Sequence, residues 1–404
     1  MQHRGDGIRP GGGFGSTAAD RPWAFRSFSA RVGRKMSIVD DIRVRVLCQS
    51  ALPERTGPHA VGTARLKLQT TGQGRKRFIA VQLWYPAEGE REPLHARGLN
   101  WLAKLLHPTW APAHRGAPLT PAKATYPLIT YVPDAHGRHD DNTFALANLA
   151  SHGFVLAAID DPYRNGKVTT GASAANAHES LDVGTDSIAT RAGCVARGVE
   201  TASALLDALQ ALEPDSPGRA WAGRLDLRQV GILGYAMGGS VASEVARVDR
   251  RYGVVANLDG PLRREGELVG VPFLLMLSDP SMPEPDSAPL QGANALSPGD
   301  YRRAHDQAAL PESHVMEVAG TKREHFSDRL IFPSRLLAGC QPSANSKRIR
   351  AIIDSYTVAF FTTYLDGGPH PLMCVRHSPY PEVHFLAGSG EHGAWALRDP
   401  AGRA

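Results

Sequence analysis

A mostly parallel β-sheet covered by helices on both faces is the fold predicted for this 404-residue chain. Three observations predict it. Short apolar runs recur between turn residues, and most are near-continuous, as expected of strands buried on both faces. Amphipathic helical patterns separate the runs, which makes the strands parallel and places helices against both faces. The hydrophobic content, 42%, is ample for one large core.

The strands come in order as "FIAVQLWYP" (78–86), "YPLITYVP" (126–133), "GFVLAAID" (153–160), "QVGILGYA" (229–236), "GVVANLD" (253–259), "VPFLLMLSD" (271–279) and "HVMEVAG" (314–320). The helices between and after them are expected at 140–152, 196–212, 238–248 and 347–365. Two connections are longer than ordinary. Residues 96–122 contain "LNWLAKLLHPTW", whose leucines fall near one helical face, and residues 280–311 are rich in Pro, Ser and Asp. Insertions of this kind form lids or pocket walls, or simply pack on the core.

Residues 1–36 are expected to form a disordered basic tail ahead of a single domain at 37–404, with Met36 as an alternative start. The tail holds seven Arg or Lys against two Asp, and so carries the whole formal charge of +5. The body is neutral, which argues against a nucleic-acid face. The tail lacks the apolar centre of a secretory signal, and no apolar run is long enough to span a membrane, so a cytoplasmic location is expected. Cys48, Cys194, Cys340 and Cys374 are scattered and read as buried free thiols, with a Cys340–Cys374 bridge as the alternative. No pattern sets an oligomeric state.

The chemistry is concentrated in "GILGYAMGGS", residues 231–240. Gly234 and Gly238 flank a central residue two positions from each, which is the G-x-S-x-G nucleophile elbow between a strand and a helix. Its centre is Ala236. Downstream, Asp259 closes one strand, Asp279 the next, and His325 follows a further strand in "GTKREHFSD". Nucleophile, acid and histidine thus stand in the chain order of a hydrolase triad, and either aspartate satisfies it. The backbone N–H of Met237, next after the elbow residue, is the expected first oxyanion donor.

With "VQLWYPA", "LANLASHGFVLAAID", "GYAMGG", "NLDG" and "HFSD", the chain resembles bacterial relatives of the plasma-type platelet-activating-factor acetylhydrolases over residues 57–370. It is more distantly similar to cutinase-like polyester hydrolases. The resemblance implies an α/β-hydrolase fold and cleavage of a small-molecule carboxylic ester by a Ser, Asp, His triad. Carried over by residue, Ala236 takes the nucleophile position, Asp259 the acid and His325 the base, with Asp279 as the alternative acid. The second oxyanion donor falls on Ala135 in "VPDAHG", with Asp134 where the family has glycine and His136 as the nearest alternative.

No cofactor is expected, because "GILGYAMGG" lacks the dinucleotide spacing. No metal is expected either: His136, His139, Asp140 and Asp141 match no zinc pattern. His152 reads as a structural histidine at a helix end. Ala236 itself has two leading explanations, an engineered replacement of serine or the natural loss of catalysis in a ligand-binding descendant; a nucleophile elsewhere is the weakest. The elbow residue is usually strained by about 1–3 kcal/mol, so a turn kept without its serine favours the engineered form. On that reading the chain as written is inert, and Ala236→Ser alone restores an esterase.

Overall fold

The computed structural model describes residues 54–72, 75–89, 93–95, 110–135, 141–160, 162–163, 188–213, 218–262, 268–280, 296–328, 344–375 and 377–386. Six strands form the parallel centre of an eleven-stranded sheet: β5 (Tyr126–Val132), β6 (Val155–Ile159), β7 (Leu225–Tyr235), β8 (Tyr252–Leu258), β9 (Phe273–Ser278) and β10 (Ser313–Val318). Antiparallel neighbours close both flanks. The long hairpin β1 (Ala60–Gly72) and β2 (Arg75–Ala87) pairs through β2 with β6, and β11 (Val383–Phe385) pairs with β10. The short β3 (Pro93–His95) and β4 (Trp110–Arg115) extend the far edge beyond β1.

Alternation along the central strands divides the core into two layers. Leu128 and Val132 of β5 pack with α2 (Ile188–Gln210) and α3 (Met237–Val248) through Ala202, Leu205, Val241 and Val245. Ile129 and Tyr131 face the other way, onto α1 (Thr143–Ser151) and α5 (Ala344–Tyr364) through Leu146, Ile353 and Phe361. The predicted strands and helices are all present. Helix α2 begins eight residues earlier than the pattern indicated, at Ile188, and β2 begins at Arg75.

The two insertions differ from expectation in what they contain. Within 96–122, Trp110–Arg115 is strand β4, between β1 and the edge strand β3, and Leu119 bridges to Ala87, while the leucine-rich 96–109 lies outside the described residues. Within 280–311, Pro298–Ala308 is helix α4, packed on β10 and started by a capping box between Ser297 and Asp300. Its residues 281–295, the tail and the alternative start Met36 also lie outside the described residues. No helix among those described is long and apolar enough to cross a membrane.

Cys194 is a buried free thiol, whereas Cys374 is exposed, at the end of a short turn after α5, and not buried as expected. Cys48 and Cys340, and with Cys340 the alternative bridge, fall outside the described residues. His152 ends α1 with Nε2 2.8 Å from Thr56 Oγ1.

His314 on β10 is 1% exposed, with Nε2 2.7 Å from Tyr364 Oη on α5. Burial holds its pKa down, to about 3. The native imidazole therefore stays neutral below the ordinary value of 6.5, while the unfolded chain takes up a proton there. Stability present above pH 6.5 is lost as the pH falls toward 3, by about 2–3 kcal/mol between pH 7 and 4.5 from this residue alone. Urea titrations at the two pH values should show this difference shrinking by that amount in His314→Gln. An unchanged difference would count against the assignment.

Candidate functional site

Strand β5 marks the point where the winding reverses. From β5 the chain passes to β6 on one side and then to β7 on the other. Open parallel sheets leave a crevice at such a point, beyond the carboxyl ends of the two strands. Here those ends deliver Pro133, Asp134 and Ala135 from β5, and Ala236 and Met237 from β7.

The turn at Ala236 is as sharp as the sequence motif demands. Ala236 has φ 51° and ψ −116° and is 1% exposed. Its N–H donates to Leu258 O on β8 at 2.8 Å, and its carbonyl accepts from Gly239 N at 2.9 Å. Two glycines are required sterically: a Cβ on Gly234 would strike Gly238 O, and one on Gly238 would strike Val132 O. β7 can therefore turn directly into α3 with the helix start against the end of β5.

Asp259 follows β8 with φ 57° and is fully buried. The preceding Asn257 pins this loop, donating from Nδ2 to Gly260 O at 3.0 Å and accepting at Oδ1 from Gly260 N at 2.7 Å. The Asp259 carboxylate is held from two sides. Oδ1 accepts from Ser278 N at 2.7 Å, and Oδ2 accepts from Arg323 Nε at 2.8 Å. Arg323 lies in a single 3-10 turn, Arg323–Phe326, that follows β10, and its own carbonyl accepts from Tyr235 Oη at 3.2 Å.

His325 sits in the same turn but makes a different contact. Its Nδ1 accepts from Lys322 N at 3.1 Å, so that nitrogen is not a donor toward a carboxylate. Burial lowers its pKa, with Glu324 opposing and Lys322 adding. Asp279 Oδ2 accepts from Gly320 N at 2.8 Å, and its N–H donates to Thr321 O at 3.1 Å, which ties the end of β9 to the turn after β10.

Above the elbow, Asp134 Oδ1 accepts from Met237 N at 3.2 Å. A carboxylate there is electrostatically natural, because Met237 opens α3 and the first N–H groups of a helix attract anions. Ala135 beside it packs against the α2/α3 core layer. His136, His139 and Asp140 lie outside the described residues. Among the described residues there is no group of three or more His, Cys, Asp or Glu that could hold a metal ion.

No protein-family model matches the chain, and no curated protein matches its sequence. Among solved structures it is similar to a ferulic acid esterase from Streptomyces cinnamoneus, at 25% identity and a TM-score of 0.59, over 83% of this chain and 98% of that one. The fold is that of the α/β hydrolases.

Within this α/β-hydrolase fold, the elbow, Asp259 and the Met237 N–H come together at the strand ends, but two expected pairings do not form. Asp259 binds Arg323 in place of His325, and the Met237 N–H is taken by Asp134. The sequence pattern gives neither Asp134 nor Arg323 a role in the site. The signal for Asp134 was legible as a carboxylate at a glycine position. Arg323 had only its place two residues before His325 to mark it.

The 3-10 turn is anchored from behind by Asp328. Its N–H donates to Asp141 O at 2.8 Å, and its carboxylate accepts from the backbone N–H groups of Thr143 and Phe144 at the start of α1. Burial pushes the Asp328 pKa up to about 8, against the opposing pull of Arg350. Arg350, 2% exposed on α5, donates from Nε to Asp354 Oδ2 at 2.9 Å and lies with Nη1 3.9 Å from Asp328 Oδ1.

Proposed function

We propose that this chain is a non-hydrolysing member of the carboxylic ester hydrolase type, a binding protein that keeps the esterase frame without acyl-enzyme turnover. The carrying observation is the Asp134 carboxylate on the Met237 N–H. In the parent reaction that we infer, the one used by acetylhydrolase-like and cutinase-like enzymes, serine would stand at Ala236 and attack the ester carbonyl. Asp259 would orient His325 as the base, and the N–H groups of Met237 and Ala135 would stabilise the oxyanion.

Three separate features oppose that reaction here. Ala236 has no nucleophilic atom, a negative charge stands where an oxyanion would develop, and Asp259 spends its carboxylate on Ser278 and Arg323. An engineered Ser→Ala replacement accounts for the first and leaves the other two unexplained. Natural loss of catalysis accounts for all three, and so takes precedence over the engineered form that the sequence favoured. The ferulic acid esterase likeness supports the ester-hydrolase parentage.

The test is a turnover assay of the protein as it stands on aryl acetates, methyl hydroxycinnamates, lactones and polyester fragments. Rates should equal the buffer background with every compound. Saturable turnover of any of them, abolished by an organophosphonate, would overturn the reading.

A further inference from the structure

Behind the Arg323–Phe326 turn, four polar side chains meet in the layer shared by β5, α1 and α5. Tyr131, near the end of β5, and Asn142, at the N-terminal boundary of α1, are both 0% exposed. Tyr131 Oη, Asn142 Oδ1 and Asn142 Nδ2 have no hydrogen-bond partner among the described residues. The same holds for Asp328 Oδ1 and Arg350 Nη1, which stand 3.9 Å apart, beyond hydrogen-bond length. The four residues form one cluster. Asp328 binds the backbone on both sides of Asn142, through Asp141 O and the N–H groups of Thr143 and Phe144, and Tyr131 is within electrostatic reach of both Asp328 and Arg350. Asp328 thus caps α1 in place of Asn142, whose buried amide makes no capping bond.

An unpaired buried polar atom is costly, and native interiors almost always pair such atoms with protein or with ordered water. Several of them in one cluster point to a ligand, and the groups themselves set its chemistry. The Tyr131 hydroxyl donates and accepts, the Asn142 amide does both, and Arg350 Nη1 only donates. Charge excludes an ion of either sign. Arg350 is already matched by Asp354, with Nη2 2.9 Å from Oδ1, and burial pushes the Asp328 pKa up to about 8, so its carboxyl is largely neutral at pH 7. A small neutral molecule that both donates and accepts meets all of these groups at once.

We propose that this cluster is an internal water site, in which ordered waters join Tyr131, Asn142, Asp328 and Arg350 and so brace the turn carrying Arg323 and His325 against the start of α1. The inference goes beyond the functional reading and is independent of it, because the brace lies behind the turn whether or not esters are cleaved in front. Binding is non-covalent, and no bond is made or broken.

The experiment pairs a high-resolution crystal structure of the full chain, from crystals soaked in sodium bromide, with urea unfolding of Tyr131→Phe and Asn142→Ala at pH 7. The structure should show water within hydrogen-bond distance of Tyr131 Oη, Asn142 and Arg350 Nη1, and no anomalous bromide signal there. The sign of the Tyr131→Phe effect is the sharper readout, since the ring and its packing are kept. Truncating a hydroxyl that is bonded to water breaks that bond, and the unfolding constant should rise about five- to ten-fold. Truncating a hydroxyl without a partner removes an unpaired buried group, and the constant should fall. Asn142→Ala should also raise the constant, and the double variant should lose less than the two losses combined, because both residues serve the same waters.

A Tyr131→Phe protein as stable as the parent or more so, strictly additive losses, or density in which these side chains bond directly to one another with no water between them would each overturn the proposal. A bromide peak among them would overturn it in favour of an anion site.

Discussion

Ala236→Ser alone should leave aryl-ester hydrolysis within about ten-fold of background, and the new serine should resist organophosphonate labelling. Supplying the hydroxyl restores an attacking atom and neither of its supports. The Met237 N–H still faces the Asp134 carboxylate, and Asp259 still faces Arg323. An oxyanion donor is worth about 10²–10³ in turnover, and a triad without its orienting carboxylate loses about 10⁴. Adding Asp134→Gly and Arg323→Ala to the serine variant should therefore raise kcat/KM by at least about 10³ over the single variant, as the N–H is freed and Asp259 becomes available to His325. Stopped assays with 4-nitrophenyl acetate, and phosphonate labelling read by mass spectrometry, measure both quantities. Ordinary esterase rates from the single variant would mean that Asp134 and Arg323 yield easily, and that the sequence-based view of a simple serine deletion was sound.

Arg350→Met should destabilise the fold by about 3–5 kcal/mol, because it leaves the Asp354 carboxylate without its cation. Arg350 is 2% exposed, with Nε and Nη2 both 2.9 Å from the Asp354 carboxylate on the next turn of α5. It also lies within reach of Asp328, which ties the Arg323–Phe326 turn to the start of α1. Removing it leaves the Asp354 carboxylate unpaired in a layer that includes Leu146, Ile353 and Phe361, beside an Asp328 whose pKa of about 8 keeps it largely protonated at pH 7. Guanidinium unfolding at pH 7 measures the loss. The double variant Arg350→Met with Asp354→Leu should recover part of it, since burying neither charge is cheaper than burying one alone. A loss below about 1 kcal/mol would mean that Asp354 protonates at little cost.

Most of the parallel sheet was legible because its strands are buried on both faces and read as continuous apolar runs. The flanks were harder. In β1, exposed Arg65 and Lys67 interrupt the apolar positions, and the capped α4 sits in a stretch whose Pro and Ser read as loop. The site divides the same way. A chain-order rule and a glycine pattern identify where Ala236, Met237, Asp259 and His325 lie along the sequence. Which nitrogen faces which carboxylate depends on a turn of a few residues after β10, where Arg323 and His325 are two positions apart and only one of them meets Asp259.

The left-handed backbone at Ala236 bears on how such turns should be interpreted in other chains. Strain in a catalytic loop is commonly taken as a sign that chemistry is still being selected. Here the φ of 51° is enforced from outside: Gly234 lies against Gly238, Gly238 against the end of β5, and Gly260 against the Ala236 carbonyl. Relaxing that one residue would disturb the close approach of α3 to the ends of β5 and β7. Once a scaffold of this kind has formed, the contortion is inherited with the packing. On the non-hydrolysing reading proposed above, it outlives the reaction it once served, much as a keystone stays in an arch after the road beneath has closed. A strained elbow therefore dates the architecture, and only the atoms around it show whether the reaction still runs.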